Sequence, residues 1–211
     1  MEFDPPRYDA TVLPGIVLAA GDSRRMGFPK ALLADADGRR FVVRVLGTLA
    51  EAGLTELVVV AGRDHEAVCE ALASAALPVT PAVVRNPDPS RGQLSSLWVG
   101  MDAVRAPRPP GLLVTLVDVP LVSASTVRTV VEAWQRTGAP VVRPARGDRH
   151  GHPVIFDRAV FEELRRAPLD TGAKAVVQAH AADVVDVPVE DEGAVVDIDT
   201  PEQYRRMGSR S

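Results

Sequence analysis

Between Leu18 and Lys30 the chain reads LAAGDSRRMGFPK, with Gly21 and Gly27 set among Arg24, Arg25 and Lys30 directly after the apolar run Gly15–Ala20. Glycines let backbone N–H groups turn toward an anion, and the three cations add full charge, so the pattern suits phosphate. A P-loop would place the lysine straight after the second glycine and a hydroxyl after that. A dinucleotide fingerprint would read G-x-G-x-x-G, and neither spacing is present. The alternative is a glycine-rich turn with solvated arginines. Lys30 argues against it. Of 24 basic residues only Lys30 and Lys174 are lysines, so a retained lysine marks a position where a compact ammonium does what a guanidinium does not.

Two further places offer carboxylates. Asp118 follows the apolar run from Leu112 and is braced by Pro120, which suits a metal ligand, a turn residue being the alternative. Asp197 and Asp199 are two apart, so in an extended segment they face the same side. Thr200-Pro201-Glu202 then reads as a helix start, with one of the two aspartates as a possible cap. Asn86, Gly92, Ser95 and Ser96 lie in VVRNPDPSRGQLSSL, either lining a site or capping a helix. His150 and His152 are too few for a zinc site.

These residues need elements to hold them. Gly15–Ala20, Glu56–Gly62, Pro81–Asn86 and Leu112–Pro120 read as strands, the longer ones apolar without alternation and hence buried on both faces. Helices are predicted over Phe41–Gly53, Asp64–Ser74 with Asp64 as cap, Leu94 to about Arg105, and Ser123–Gly138. Strand followed by helix, repeated, predicts an α/β fold: one three-layer α/β/α domain over residues 1–211 with a mainly parallel, mixed sheet. From about Pro140 onward, shorter strands predict an antiparallel addition or cap. Residues 1–13 are expected to be a flexible extension. Ligands of such sheets sit beyond the carboxyl ends of the strands, where the Leu18–Lys30 loop, Asn86–Ser96 and Asp118 all fall.

Leu18, Ala19, Ala20, Gly21, Ser23, Arg25, Met26, Gly27, Pro29 and Lys30 resemble the signature loop of the MobA-like nucleoside-triphosphate transferases, most closely the molybdenum cofactor cytidylyltransferases. The resemblance extends over roughly Gly15–Tyr204 and implies a Rossmann-like nucleotidyltransferase fold. It implies transfer of CMP from CTP to the phosphate of molybdopterin or molybdenum cofactor, with release of pyrophosphate. GTP, or a sugar or alditol phosphate acceptor, are the variants of that chemistry; a non-catalytic nucleotide-binding accessory factor for molybdenum enzymes is the reading from another class.

Carried onto this chain, the resemblance has Leu18, Ala19, Ala20, Gly21 and Ser23 wrap the triphosphate, Arg25 hold its outer phosphates, and Lys30 neutralise charge at the α-phosphate. Asp118 and Asp199 carry Mg²⁺, with Mn²⁺ as substitute; Asn86, Gly92 and Ser95 surround the base. His152, in the Gly-His-Pro-Val segment, and Lys174 meet the acceptor. Where the family has Gly-Asp-x-Pro, this chain has Val117 before Asp118. A molybdenum enzyme or its chaperone is the implied protein partner.

Composition narrows the classes. A net charge of −4 disfavours nucleic acid and anionic membranes as partners. The single cysteine, Cys69, excludes a disulfide framework. With no signal-like leader or membrane-length apolar run in the sequence, the expected location is the cytoplasm.

Overall fold

The computed structural model describes residues 13–23 and 25–208. Of the expected extension, Leu13 is fully buried in the core; residues 1–12 lie outside the described residues, as does Arg24 of the loop.

Strand β1 (Gly15–Ala19) lies at the centre of an eight-stranded mixed sheet. It pairs in parallel with β2 (Leu57–Ala61) on one side and β4 (Gly111–Leu116) on the other, and β2 pairs in parallel with β3 (Ala82–Arg85). Beyond β4 the direction reverses. Strand β5 (Val141–Arg146) lies antiparallel to β7 (Val154–Asp157), which lies antiparallel to β4. Strand β6 (Arg149–His150) and β8 (Val185–Pro188) both attach to β5, the latter in parallel. The predicted antiparallel addition is therefore present and widens the sheet.

Unbroken apolar sequence in the central strands has its explanation in two cores. Val17, Val59 and Leu113 pack on one face with α1 (Phe41–Glu51), α2 (His65–Ala73) and α4 (Ala124–Thr137). Their neighbours Ile16, Leu18, Val58, Val60, Leu112 and Val114 pack on the other face with α3 (Gln93–Ala103), α5 (Phe161–Arg166) and α6 (Lys174–Ala179). Alternate residues of one strand thus feed opposite layers. Helix α7 (Pro201–Gly208) closes the first layer: Tyr204 packs edge-to-face on Phe41 and its hydroxyl donates to the Ala34 carbonyl at 2.7 Å.

One helix start differs from expectation. Asp64 precedes α2, yet its side chain makes no capping hydrogen bond, because its backbone (φ −90°, ψ 21°) is not extended as a capping residue's is. Ser123 does cap α4, accepting from the Thr126 N–H, and Gly138 ends that helix left-handed.

Candidate active site

The loop after β1 folds back on itself at Ser23. This residue has φ +47°, and its carbonyl accepts from the N–H groups of Met26 (3.0 Å) and Gly27 (3.1 Å). Its hydroxyl accepts from the Lys30 N–H at 3.1 Å. The strained left-handed positions are thus Ser23 and Gly27 (φ +68°), not Gly21. This turn returns Lys30 to the strand ends, where a short 3₁₀ helix, Lys30–Leu32, begins.

Lys30 meets both carboxylates there. Its Nζ donates to Asp118 Oδ2 at 2.7 Å and to Asp199 Oδ1, and Arg25 donates to Asp199 Oδ2 at 2.8 Å. Asp118 sits in the turn just past β4, and Asp199 just before α7. Backbone contacts bring them together: the Ile198 N–H donates to the Asp118 carbonyl at 2.8 Å. Gln203 Oε1 then accepts from the N–H groups of Asp199 (2.9 Å) and Thr200 (2.8 Å), while Thr200 Oγ1 accepts from Gln203 N–H. This reciprocal capping pins Asp199. Gln203 is a site-positioning residue outside the expected set, and the Thr200-x-x-Gln203 capping-box spacing is its signal in the sequence.

Electrostatics follow the geometry. Burial works against the Lys30 charge, but the hydrogen bonds and negative charge of Asp118 and Asp199 outweigh it and hold the amine above the ordinary lysine value. Asp199 is held below the usual carboxylate range, first by its bond to Lys30 and then by the charges of Lys30 and Arg25, against burial. Asp197 is pushed up, first by burial and then by the charges of Asp118 and Asp199. Asp197 therefore feels the charges of the same cluster.

Asp118 and Asp199 suit a divalent cation. Oxygen donors are what Mg²⁺ and Mn²⁺ take, and a cation, the Lys30 ammonium, already bridges the two carboxylates. Asp118 Oδ1 is buried with no hydrogen-bond partner, leaving one hard donor uncommitted. The residues present therefore fit the metal the sequence implied.

Beside this cluster lies a cavity of about 160 Å³. Leu18, Ala19, Ala20, Gly21, Ser23 and Lys30 line one wall; Pro89, Gly92, Gln93 and Ser96 line the other, with Asp64 and Asp118 at its edges. Gly92, at φ +95°, makes the turn into α3 that presents this second wall. Asn86 and Ser95 were expected to face the base. Instead Asn86 is 3% exposed, and its side-chain amide donates to Ser95 Oγ (3.0 Å) and Ser96 Oγ (2.9 Å) while its oxygen accepts from Asp88 N–H. Ser95 Oγ donates to the Gly92 carbonyl at 2.7 Å. Their polar groups are spent inside the loop, which they brace; Gln93 and Ser96 take the cavity-facing places.

His152 and Lys174 do converge, in a second cavity of about 240 Å³ that shares Leu18, Gln93 and Leu116 with the first. His152 is half-buried. Burial lowers its pKa against the opposing bond to the Val114 backbone and the charge of Asp118, and its Nδ1 has no partner. The His152 N–H donates to the Ala194 carbonyl at 2.8 Å, and a Cβ at Gly151 would collide with that same carbonyl. Glycine is therefore required before His152.

A mixed, mainly parallel sheet with the glycine-containing loop at the end of its central strand is the nucleotidyltransferase fold of α/β proteins. The sequence over residues 15–184 matches the MobA-like NTP transferase domain, and the chain belongs to that family. It is 32% identical to the nicotine blue oxidoreductase of Paenarthrobacter nicotinovorans, over 94% of this chain and 98% of that one. It is 27% identical to a probable molybdenum cofactor guanylyltransferase of Mycolicibacterium paratuberculosis, over 85% of this chain and 88% of that one. Among solved structures it resembles Rv0371c of Mycobacterium tuberculosis, with TM-score 0.78 and 32% identity over 96% of this chain and 100% of that one. A second structure of Rv0371c, in complex with manganese, has TM-score 0.74 and 30% identity over 94% and 99% of the two chains. None of these matches singles out a cytidylyltransferase. No described helix is long and apolar enough to cross a membrane.

Proposed function

We propose that this protein is a divalent-cation-dependent nucleotidyltransferase that moves CMP from CTP to the phosphate of a molybdopterin-type acceptor and releases pyrophosphate. The observation that carries the reading is the meeting of Lys30 with Asp118 and Asp199 at the end of the signature loop. A protein that only bound nucleotide would tolerate loss of either carboxylate.

In this reading an acceptor phosphate oxygen attacks the α-phosphorus. The bond from that phosphorus to the bridging oxygen breaks, and pyrophosphate leaves with the electron pair. The acceptor is already a nucleophile, so no base is required; catalysis is positioning and charge neutralisation. Leu18 and Ala19 line the nucleotide's cavity from the strand end, the backbone of Ala20 and Gly21 just beyond β1 holds the nucleotide, Arg25 binds the outer phosphates and Lys30 stands at the α-phosphate. Mg²⁺ or Mn²⁺ on Asp118 and Asp199 would supply positive charge to the phosphates and the departing pyrophosphate. Gln93 and Ser96 face the base; His152 and Lys174 face the acceptor.

The test is pyrophosphate release with each NTP, with Mg²⁺ or Mn²⁺, and with molybdopterin against sugar phosphates. Release only with CTP, metal and pterin supports the reading; release with a sugar phosphate and not with pterin overturns the acceptor, and GTP preference overturns the nucleotide. A second reading rests on the 32% identity to nicotine blue oxidoreductase: an oxidoreductase acting on nicotine blue. Metal-independent turnover of nicotine blue would favour it.

A further inference from the structure

Residues 189–199 form a strap that ties together the segments carrying the site. It starts where the Val189 N–H donates to the Ala145 carbonyl of β5 at 2.9 Å, runs through the short 3₁₀ helix Glu192–Val195 and ends at Asp199. Its backbone reaches both cavities. The Ala194 carbonyl accepts from the His152 N–H and the Val195 carbonyl from Arg149, while the Ile198 N–H donates to the Asp118 carbonyl. The fit leaves no slack: a Cβ at Gly193 would collide with the Leu121 carbonyl, as one at Gly151 would with the Ala194 carbonyl. One side chain anchors the strap to the turn after β4. Asp191 Oδ2 accepts from the Ser123 N–H (2.8 Å) and the Thr126 hydroxyl (2.7 Å), and Oδ1 accepts from the Gly193 N–H (2.9 Å). Ser123 is the cap of α4, so the strap is fastened to the first turn of the helix that follows Asp118.

We propose that Asp191 is a positioning residue for both cavities: by holding the strap in one register it sets Asp199 beside Asp118 and fixes the carbonyl that holds His152. A carboxylate takes all three donors at once, and its charge makes each bond stronger than one to a neutral acceptor. Asparagine in its place must turn its NH₂ group on one of those donors, so the anchor is lost with little change in volume. Metal carboxylates work only when held to within about 0.5 Å by the packing and hydrogen bonds behind them. The Ile198 bond and the Gln203 cap hold the strap at its far end; Asp191 is what holds it at the near end. The proposal rests on the reading of Asp118 and Asp199 as metal carboxylates and is independent of which nucleotide or acceptor is used.

The test uses the full chain as wild type, Asp191→Asn, the milder Thr126→Val, and Leu49→Ala, a core change beside Gly15 at the opposite end of β1. Mn²⁺ alone is titrated by electron paramagnetic resonance without nucleotide. Separately, the His152 ring signal is followed by NMR in metal-free, ¹³C-histidine-labelled protein and assigned with His152→Gln. Asp191→Asn should weaken Mn²⁺ binding about 10-fold or more, the usual loss when a group supporting a metal ligand is removed, and Thr126→Val severalfold. Both should shift the His152 signal, whereas Leu49→Ala should destabilise the fold and change neither reading. If Asp191→Asn does not fold, Thr126→Val decides. A merely structural role would make Leu49→Ala act like the strap variants and overturns the proposal, as does a change in one reading without the other. No Mn²⁺ binding by wild type strikes the proposed function and this proposal together; wild-type binding that survives in both strap variants strikes this proposal alone. The stated shifts in a protein that transfers no nucleotide would strike the proposed function alone.

Discussion

The backbone N–H of Ile198 donates to the carbonyl of Asp118 at 2.8 Å, joining the turn after β4 to the strap that leads into α7. This bond, with the Gln203 cap on Asp199, brings Asp118 and Asp199, far apart in sequence, to either side of Lys30.

Lys30 is the cation between the two carboxylates. Lys30→Ala should lower pyrophosphate release by roughly 10²–10³, the usual loss for one preorganised electrostatic partner. The freed carboxylates should nevertheless bind Mn²⁺ at least as tightly as wild type in calorimetry without nucleotide. Loss of both metal binding and turnover would show that Lys30 holds the site together rather than serving the reaction.

Asp118→Asn and Asp199→Asn should each weaken Mn²⁺ binding and reduce turnover by about 10²-fold or more. Chelation by EDTA should abolish turnover, and added Mg²⁺ or Mn²⁺ should restore it. Activity undiminished in EDTA would count against the metal.

Gln203 secures Asp199 through two backbone N–H groups. Gln203→Ala should destabilise the chain by about 1 kcal/mol, as loss of a cap does, and should lower kcat more than it raises the nucleotide KM. Urea denaturation and pyrophosphate release measure the two effects.

Asn86 braces the wall that ends in Ser96. Removing its amide leaves the buried Ser96 hydroxyl without that partner, so Asn86→Ala should cost about 1–3 kcal/mol in urea denaturation. Ser96→Ala should raise the nucleotide KM more than Ser95→Ala, because Ser96 lines the cavity and Ser95 bonds back to Gly92.

Acid should loosen the scaffold through two carboxylates. Burial pushes Asp35 up, but Arg44 and the N–H groups of Arg39 and Asp37 hold it below the ordinary value; Arg44 also reaches the Pro120 carbonyl beside the Asp118 turn. Asp191 is likewise held down, against burial, by Ser123, Thr126 and Gly193. Both bind protons less readily folded than unfolded, so their stabilisation is complete above the unfolded value of 3.8 and is lost as pH falls through the lower folded value. Asp35→Asn should therefore flatten the loss of stability below about pH 4 in urea titrations.

Local features were legible in the sequence. Unbroken apolar runs such as Leu57–Ala61 betrayed strands covered on both faces, and Gly21 and Gly27 among Arg24, Arg25 and Lys30 marked a loop suited to an anion, because backbone turns and charge spacing are written over a few residues. Side-chain direction was not. Asn86 and Ser95 carry the right chemistry for a base, yet their hydrogen bonds close on each other, since a buried amide must be satisfied by whatever the fold brings near. Asp64 carries the right type for a cap and lacks the backbone angle.

The sequence by itself determined the class of fold, the loop that suits phosphate and the residue types fit for a metal, because periodicity, glycine placement and charge act over short spans. Only the tertiary structure decided that Lys30, Asp118 and Asp199 share one site, that Gln93 and Ser96 rather than Asn86 and Ser95 face the first cavity, and that His152 and Lys174 share the second. Those outcomes depend on contacts between segments distant in the chain, made by the Asp118–Ile198 backbone bond and the strand pairings, and no local pattern records them.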